Sequence, residues 1–212
     1  MEIKRFECNP FGENTYIIWD SVSKEAAIID PGMITPEEMN AVEKCITVNN
    51  LVPKYILLTH GHIDHTFGVD GLKTRYDIPV LMHKADAPFA QNRQQQANMF
   101  HLHAALKPLE IDRFINSGSK LQLGEEQIEV IETPGHSLGG VCYYMPAGNF
   151  VLTGDTLFRG TVGRTAFIGG NHHQIVDSIK SKLLALPEST IVYPGHGPAT
   201  TIGQEAISNP FF

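Results

Sequence analysis

Cysteine is scarce in this 212-residue chain, and what there is does not pair by pattern. Cys8, Cys45 and Cys142 are odd in number and widely spaced, which excludes a disulfide framework or a Cys-x-x-Cys metal clip and points to reduced thiols in a cytoplasmic protein. Long apolar runs are also missing. Nothing approaches the roughly 18 residues that a membrane span needs. The start, Met1 to Phe6, is too charged for the apolar core of a signal peptide, so no membrane partner is expected. Positive charge is in deficit: 16 Lys and Arg stand against 23 Asp and Glu, for a net charge of −7. Nucleic acid is therefore disfavoured as a partner, because binding phosphate needs a positive field. Linkers, low-complexity tracts and short repeats are absent as well, and 42% hydrophobic against 18% charged residues is the balance of an ordinary globular chain able to bury a core.

What is present is a mixed pattern of strands and helices. Segments 14–20 and 26–30 are rich in β-branched and aromatic residues and predict neighbouring strands. Thr35-Pro36-Glu37-Glu38 predicts a helix start with a capping box, running to about Asn49. A buried strand over 54–59, a helix over 66–76, a strand over 79–82 and a helical or partly helical stretch over 85–106 follow. Strands are expected at 120–123, 127–131, 141–145, 150–152 and 190–193, with a helix over 173–186. This order fits two packed sheets with helices outside. Strands lead into charged loops in both halves of the chain, a hint of two similar halves.

The strongest chemical signal is Thr59-His60-Gly61-His62-Ile63-Asp64-His65, directly after the buried strand. His60 and His62 share a face in extended backbone, so both imidazoles can grip one metal ion. Asp64 and His65 then turn away and can serve a second, while Gly61 leaves room for close backbone approach. Three further residues stand just past strands: His136 after Thr133-Pro134-Gly135, Asp155 after Thr153-Gly154, and His196 after Tyr193-Pro194-Gly195. Strand ends in layered α/β proteins are where sites are assembled. A lone histidine there is more often a surface or hydrogen-bonding residue, but a solvated loop has no reason to concentrate imidazoles as residues 60–65 do. Nitrogen and oxygen donors without thiolate suit zinc, iron or manganese and argue against a purely structural zinc, which usually recruits cysteine.

His60-x-His62-x-Asp64-His65, then His136, Asp155 and His196, resembles the motif pattern of the metallo-β-lactamase-fold hydrolases over nearly the whole chain. Asp30 matches the aspartate that precedes the metal motif in that superfamily. Gly154-Asp155-Thr156-Leu157-Phe158, Pro194-Gly195-His196-Gly197-Pro198 and the ending Asn209-Pro210-Phe211 resemble its compact glyoxalase II-like (hydroxyacylglutathione hydrolase-like) branch. The resemblance implies an α/β fold, a four-layer αβ/βα sandwich, as a single domain over 1–212. It implies two divalent ions, zinc first with iron or manganese as alternatives. His60, His62 and His136 would hold one, Asp64, His65 and His196 the other, and Asp155 would bridge. The chain stops soon after His196 and so lacks the C-terminal helical region with which glyoxalase II helps hold glutathione. Where those relatives carry a Lys-Phe-Tyr stretch, this chain reads Gly163-Arg164-Thr165-Ala166-Phe167. Arg164 supplies a positive charge, but Ala166 has no hydroxyl.

The expected activity is thioester hydrolysis, on an S-2-hydroxyacylglutathione or a related small, anionic thioester or ester. A metal lowers the pKa of bound water towards about 7, so a hydroxide bridging the two ions would attack the carbonyl, with Asp64 and Asp155 as the catalytic carboxylates. A thiolate leaves without a dedicated acid. Arg164 and Arg159 are candidates to hold a substrate carboxylate. Two other readings compete. A mono-iron persulfide dioxygenase resembles the same pattern and shares a Gly-Arg-Thr stretch like residues 163–165. A degenerate metal-binding protein is the non-enzyme reading, opposed by the complete ligand set. A β-lactamase is disfavoured because the common zinc β-lactamases carry a cysteine or another residue where Asp155 stands.

Overall fold

The computed structural model describes residues 1–102 and 105–212. Residues 103 and 104 of the stretch expected to be helical or partly helical over 85–106 lie outside the described residues. The first half begins with strands β1 (Glu2–Cys8), β2 (Glu13–Trp19) and β3 (Glu25–Ile29), helix α1 (Pro36–Val48) and strand β4 (Val52–Leu57). Helix α2 (Val69–Tyr76), strand β5 (Val80–His83), short helices α3 (Ala87–Gln91) and α4 (Arg93–Met99) and strand β6 (Arg113–Ile115) complete it. The second half contains β7 (Lys120–Leu123), β8 (Glu126–Glu132), β9 (Val141–Met145), β10 (Phe150–Gly154), β11 (Leu157–Phe158), β12 (Thr161–Val162), α5 (His172–Ser178), β13 (Ile191–Pro194), β14 (Thr200–Thr201) and α6 (Ile202–Ser208).

Each half builds one sheet. β1 to β6 lie in sequence order in the first, and the second runs β14-β13-β10-β9-β8-β7, while β11 and β12 form a separate hairpin. Alternation along the strands explains the layers, since successive side chains point to opposite faces. Ile17, Ile28, Ile56 and Val80 face outward onto Val42 and Ile46 of α1 and Val69 and Leu72 of α2. Their neighbours Ile18, Ile29, Leu57 and Leu81 face inward and meet Val130, Tyr143, Phe150 and Leu152 of the second sheet. Cys142, Val151 and Val192 face out the other side onto Ile175, Ile179 and Leu183. Three apolar layers therefore separate helix, sheet, sheet and helix, which is the expected four-layer αβ/βα sandwich.

The capping box at α1 forms as the sequence predicts, with Glu38 N donating to Thr35 Oγ1 and the Glu38 side chain reaching back. Several expectations shift. The helix predicted from 66 begins at Val69, because Ile63–His65 makes a 3-10 turn of its own. The described part of the stretch 85–106 is partly helical, as expected, and carries α3 and α4. The helix predicted over 173–186 leaves α-geometry after Ser178 and continues as a π turn over Ile179–Leu183. β1, β6, β11, β12, β14 and α6 went unpredicted: β1 is a charged edge strand and β11, β12 and β14 are two residues each.

Candidate metal centre

Four strand ends open on one edge of the two sheets. β8, β10 and β13 run in the same direction, since β8 and β10 both pair antiparallel to β9 and β13 pairs parallel to β10. Their ends deliver His136, Asp155 and His196. β4 delivers the loop that carries His60 and His62, and the 3-10 turn presents Asp64 and His65. Two main-chain hydrogen bonds tie the sheets together at this edge: Asn14 N to Gly195 O at 2.7 Å and Val141 N to Thr59 O at 2.8 Å.

The structure brings all seven sequence-nominated residues together. Donor atoms of His60, His62 and His136 lie within 4.8 Å of one another, as do those of Asp64, His65 and His196. Asp155 stands between the groups. Its Oδ2 is 3.5 Å from His136 Nε2, and its Oδ1 is 3.4 Å from His65 Nε2 and 3.6 Å from His196 Nε2. One carboxylate thus faces both groups.

The outer ring nitrogens of His60, His65, His136 and His196 each have a protein partner, which leaves the other nitrogen for the centre, while His62 turns its Nδ1 inward, 2.9 Å from His136 Nε2. His136 Nδ1 lies 2.7 Å from the Arg164 carbonyl and His196 Nδ1 lies 3.1 Å from the Phe11 carbonyl. A carbonyl only accepts, so both Nδ1 atoms carry a proton and both Nε2 atoms face inward. Asp30 orders two more rings. Its Oδ2 takes the Thr59 hydroxyl proton at 2.6 Å and lies 3.0 Å from His65 Nδ1, while the Thr59 hydroxyl lies 3.0 Å from His60 Nδ1. Histidine ligands usually have their second nitrogen fixed in this way. Asp30, His60 and His65 also converge within 4.8 Å. The Asp30 carboxylate is already taken up by Thr59 N, Thr59 Oγ1 and His65 Nδ1, so we assign it an orienting role.

The arrangement fits divalent cations. His60 Nε2, His65 Nε2 and Asp155 Oδ1 are buried and have no hydrogen-bond partner among the described residues. Burying such atoms unpaired is costly, and a cation supplies what each lacks. The electrostatics agree. Burial, reinforced by the neighbouring imidazoles, holds His60 well below the ordinary histidine value, and burial with His136 takes His62 down to about 4. Both rings are neutral and ready to ligate at neutral pH. Burial opposes charge at His65 and His196 too, but the carboxylates of Asp64 and Asp155 outweigh it and hold both above the usual range. Asp64 and Asp155 are in turn held below the carboxylate range, the histidines overriding burial.

Aromatic rings frame the centre. Phe89 stands edge-on to His62 at 4.9 Å between centroids, Phe167 lies 5.6 Å from His62 and 6.3 Å from His136, and Phe158 lies 6.3 Å from His196. Arg164 is exposed, with its own carbonyl pinned by His136 at the rim of the first group. Arg159 sits in the β11–β12 turn and lines a shallow cleft of about 750 Å³ with Thr200, Gln204 and Ser208. His83 instead faces Glu132 at 3.4 Å, and His172 packs on Phe211.

Sequence reading missed the residues that hold this geometry from a distance. Asn9 Nδ2 donates to the Asp64 carbonyl at 2.9 Å, and Asn14 Nδ2 donates to the carbonyls of Pro194 and Gly197 on either side of His196. Glu13 is fully buried with an oxygen 4.0 Å from His65 Nδ1, and burial drives its carboxyl well up. For Glu13 and Asn14 the available signal was polar residues inside a strand that otherwise reads as core; Asn9 lies in the turn between β1 and β2.

Comparison with known proteins agrees with the geometry. The model of the Metallo-beta-lactamase superfamily matches residues 8–196. Hydroxyacylglutathione hydrolase GloC of Haemophilus influenzae is 36% identical, covering 100% of this chain and 98% of its own. The crystal structure of the BLEG-1 B3 metallo-beta-lactamase has a TM-score of 0.87 and 35% identity, covering 99% of each chain. That of TTHA1623 in a di-iron-bound form has a TM-score of 0.87 and 38% identity, covering 99% of this chain and 100% of its own.

Proposed function

The chain belongs to the metallo-beta-lactamase superfamily, and from its centre we propose that it is a dinuclear metal-dependent thioesterase of the hydroxyacylglutathione hydrolase type. The observation that carries this reading is the pair of three-donor groups with Asp155 facing both. The similarity to GloC supports the thioester as substrate. Two divalent ions, when bound, supply Lewis acidity and bring the pKa of water towards about 7. The likeness to a di-iron protein argues for testing iron beside zinc.

The chain's own residues have separable tasks. His60, His62 and His136 would hold one ion, Asp64, His65 and His196 the other, with Asp155 spanning both. Asp30 holds the Nδ1 side of His65 directly and of His60 through Thr59, so that their Nε2 lone pairs stay directed inward. Phe89 and Phe167 flank the first group with their rings. A thiolate leaving group needs no protonation, which suits a centre built of bases and carboxylates. Arg164 at the rim offers a cation to an anionic substrate.

The test is thiol release from S-D-lactoylglutathione by protein reconstituted with zinc or with iron. A β-lactam is run in parallel because of the likeness to BLEG-1. We expect metal-dependent thiol release that falls at least about 100-fold in Asp155→Ala, the cost of losing charge stabilisation at a reacting centre. Opening of the β-lactam with no thioester turned over would overturn the thioesterase reading.

A further inference from the structure

Asp86 lies just past the end of β5, outside the seven residues that meet at the centre, and is fully buried. Its carboxylate accepts three hydrogen bonds. Oδ2 takes Gly61 N at 2.9 Å and Ser137 Oγ at 2.7 Å, and Oδ1 takes Gly139 N at 2.6 Å. Gly61 stands between His60 and His62, and Ser137 follows His136. A single carboxylate therefore grips both loops of the first group, one from each half of the chain.

The packing repeats the message. A Cβ placed on Gly61 would meet Phe89 Cβ at 2.7 Å and the Asp86 carbonyl at 2.9 Å. One placed on Gly139 would meet Asp86 N at 2.7 Å and His83 Nδ1 at 2.9 Å. The turn at Asp86 is wedged between the two loops so closely that only glycine fits where each touches it. The other group is held by different partners: His65 by Asp30, Asp64 through its carbonyl by Asn9, and His196 by the Phe11 carbonyl.

We propose that Asp86 is a positioning residue that clamps the His60–His62 loop to the His136 loop and so sets the spacing of the first metal group alone. This rests on the two-metal reading above. Asparagine at this place would keep the shape but turn an amide NH₂ towards one of the donors, which breaks the clamp without opening a cavity.

The experiment is a zinc titration of the full-length chain, with bound metal counted after gel filtration from buffered zinc, far-UV circular dichroism to verify folding, and the visible spectrum of the cobalt-loaded protein. Wild type is expected to hold two ions. Asp86→Asn is expected to hold one at zinc levels where wild type holds two. Its weaker ion should lose about 10- to 100-fold in affinity, as is usual when a residue that orients a ligand is removed. Ser137→Ala, which deletes one of the three donors, should shift the same ion by less and serves if Asp86→Asn does not fold. Equal weakening of both ions, or wild-type binding in Ser137→Ala and Asp86→Asn alike, would overturn the clamp and leave the two-metal reading standing. A wild-type chain that takes up no zinc would overturn that reading, and the clamp with it.

Discussion

Glu38 reaches the metal centre through one intermediary. Its Oε1 accepts Asn9 N at 2.7 Å, and its Oε2 accepts Ile34 N at 2.7 Å and Thr35 N at 2.9 Å. Asn9 then holds the Asp64 carbonyl. Burial pushes the Glu38 carboxyl up, but these N–H donors outweigh it and leave the group below the usual glutamate range. A depressed carboxylate stabilises the fold above its unfolded pKa, near 4.3, and the contribution is lost as pH falls through the folded value. Glu38→Gln should therefore cost on the order of 1 kcal/mol at about pH 7, with the gap closing as pH falls below the ordinary glutamate value. Thermal midpoints across that range check it, and a gap independent of pH would refute it. At this scale the seven residues that meet at the centre were legible as candidates, because imidazoles and carboxylates concentrate at strand ends. Asn9, Asn14 and Asp86 were not. Each acts on a partner 25 or more positions away, and such pairings leave no local trace.

At the scale of elements, two buried tyrosines cross the layer between the sheets to the strands that lead into the centre. Tyr143 on β9 donates to the Leu58 carbonyl at 2.7 Å, two residues before His60. Tyr16 on β2 donates to the Pro194 carbonyl at 2.7 Å, two residues before His196, where Asn14 Nδ2 also donates at 3.0 Å. Tyr143→Phe should leave the Leu58 carbonyl short of a partner and cost about 1–3 kcal/mol. Tyr16→Phe should cost less, since Asn14 still serves Pro194. Urea unfolding of both variants decides the order, and a costlier Tyr16→Phe would contradict the account. Period-two alternation made most of the inner strands legible. It failed at β1, where charges on an exposed edge mask Ile3 and Phe6, and at β6, which is only three residues long.

At the scale of the molecule, the candidate donors divide between the halves: residues 60–65 come from the first sheet's side, and His136, Asp155 and His196 from the second's. A bound ion pair would join the two halves and stabilise the fold by mass action, about 2.7 kcal/mol at a hundredfold excess over the dissociation constant. Chelation should lower the thermal midpoint and abolish thiol release, and returning zinc or iron should restore both; a midpoint indifferent to chelator would argue against ions that span the halves. No described helix is long and apolar enough to cross a membrane. The sequence by itself determined the candidate donor types and the two-sheet layering, because both depend on local residue chemistry and on periods of a few residues. The family resemblance already implied two donor groups with Asp155 between them; only the tertiary structure decided that Asp30 aligns two rings and that Asp86 straps two loops together. Those outcomes depend on how the two sheets pack, which brings side chains distant in the chain to within hydrogen-bonding reach.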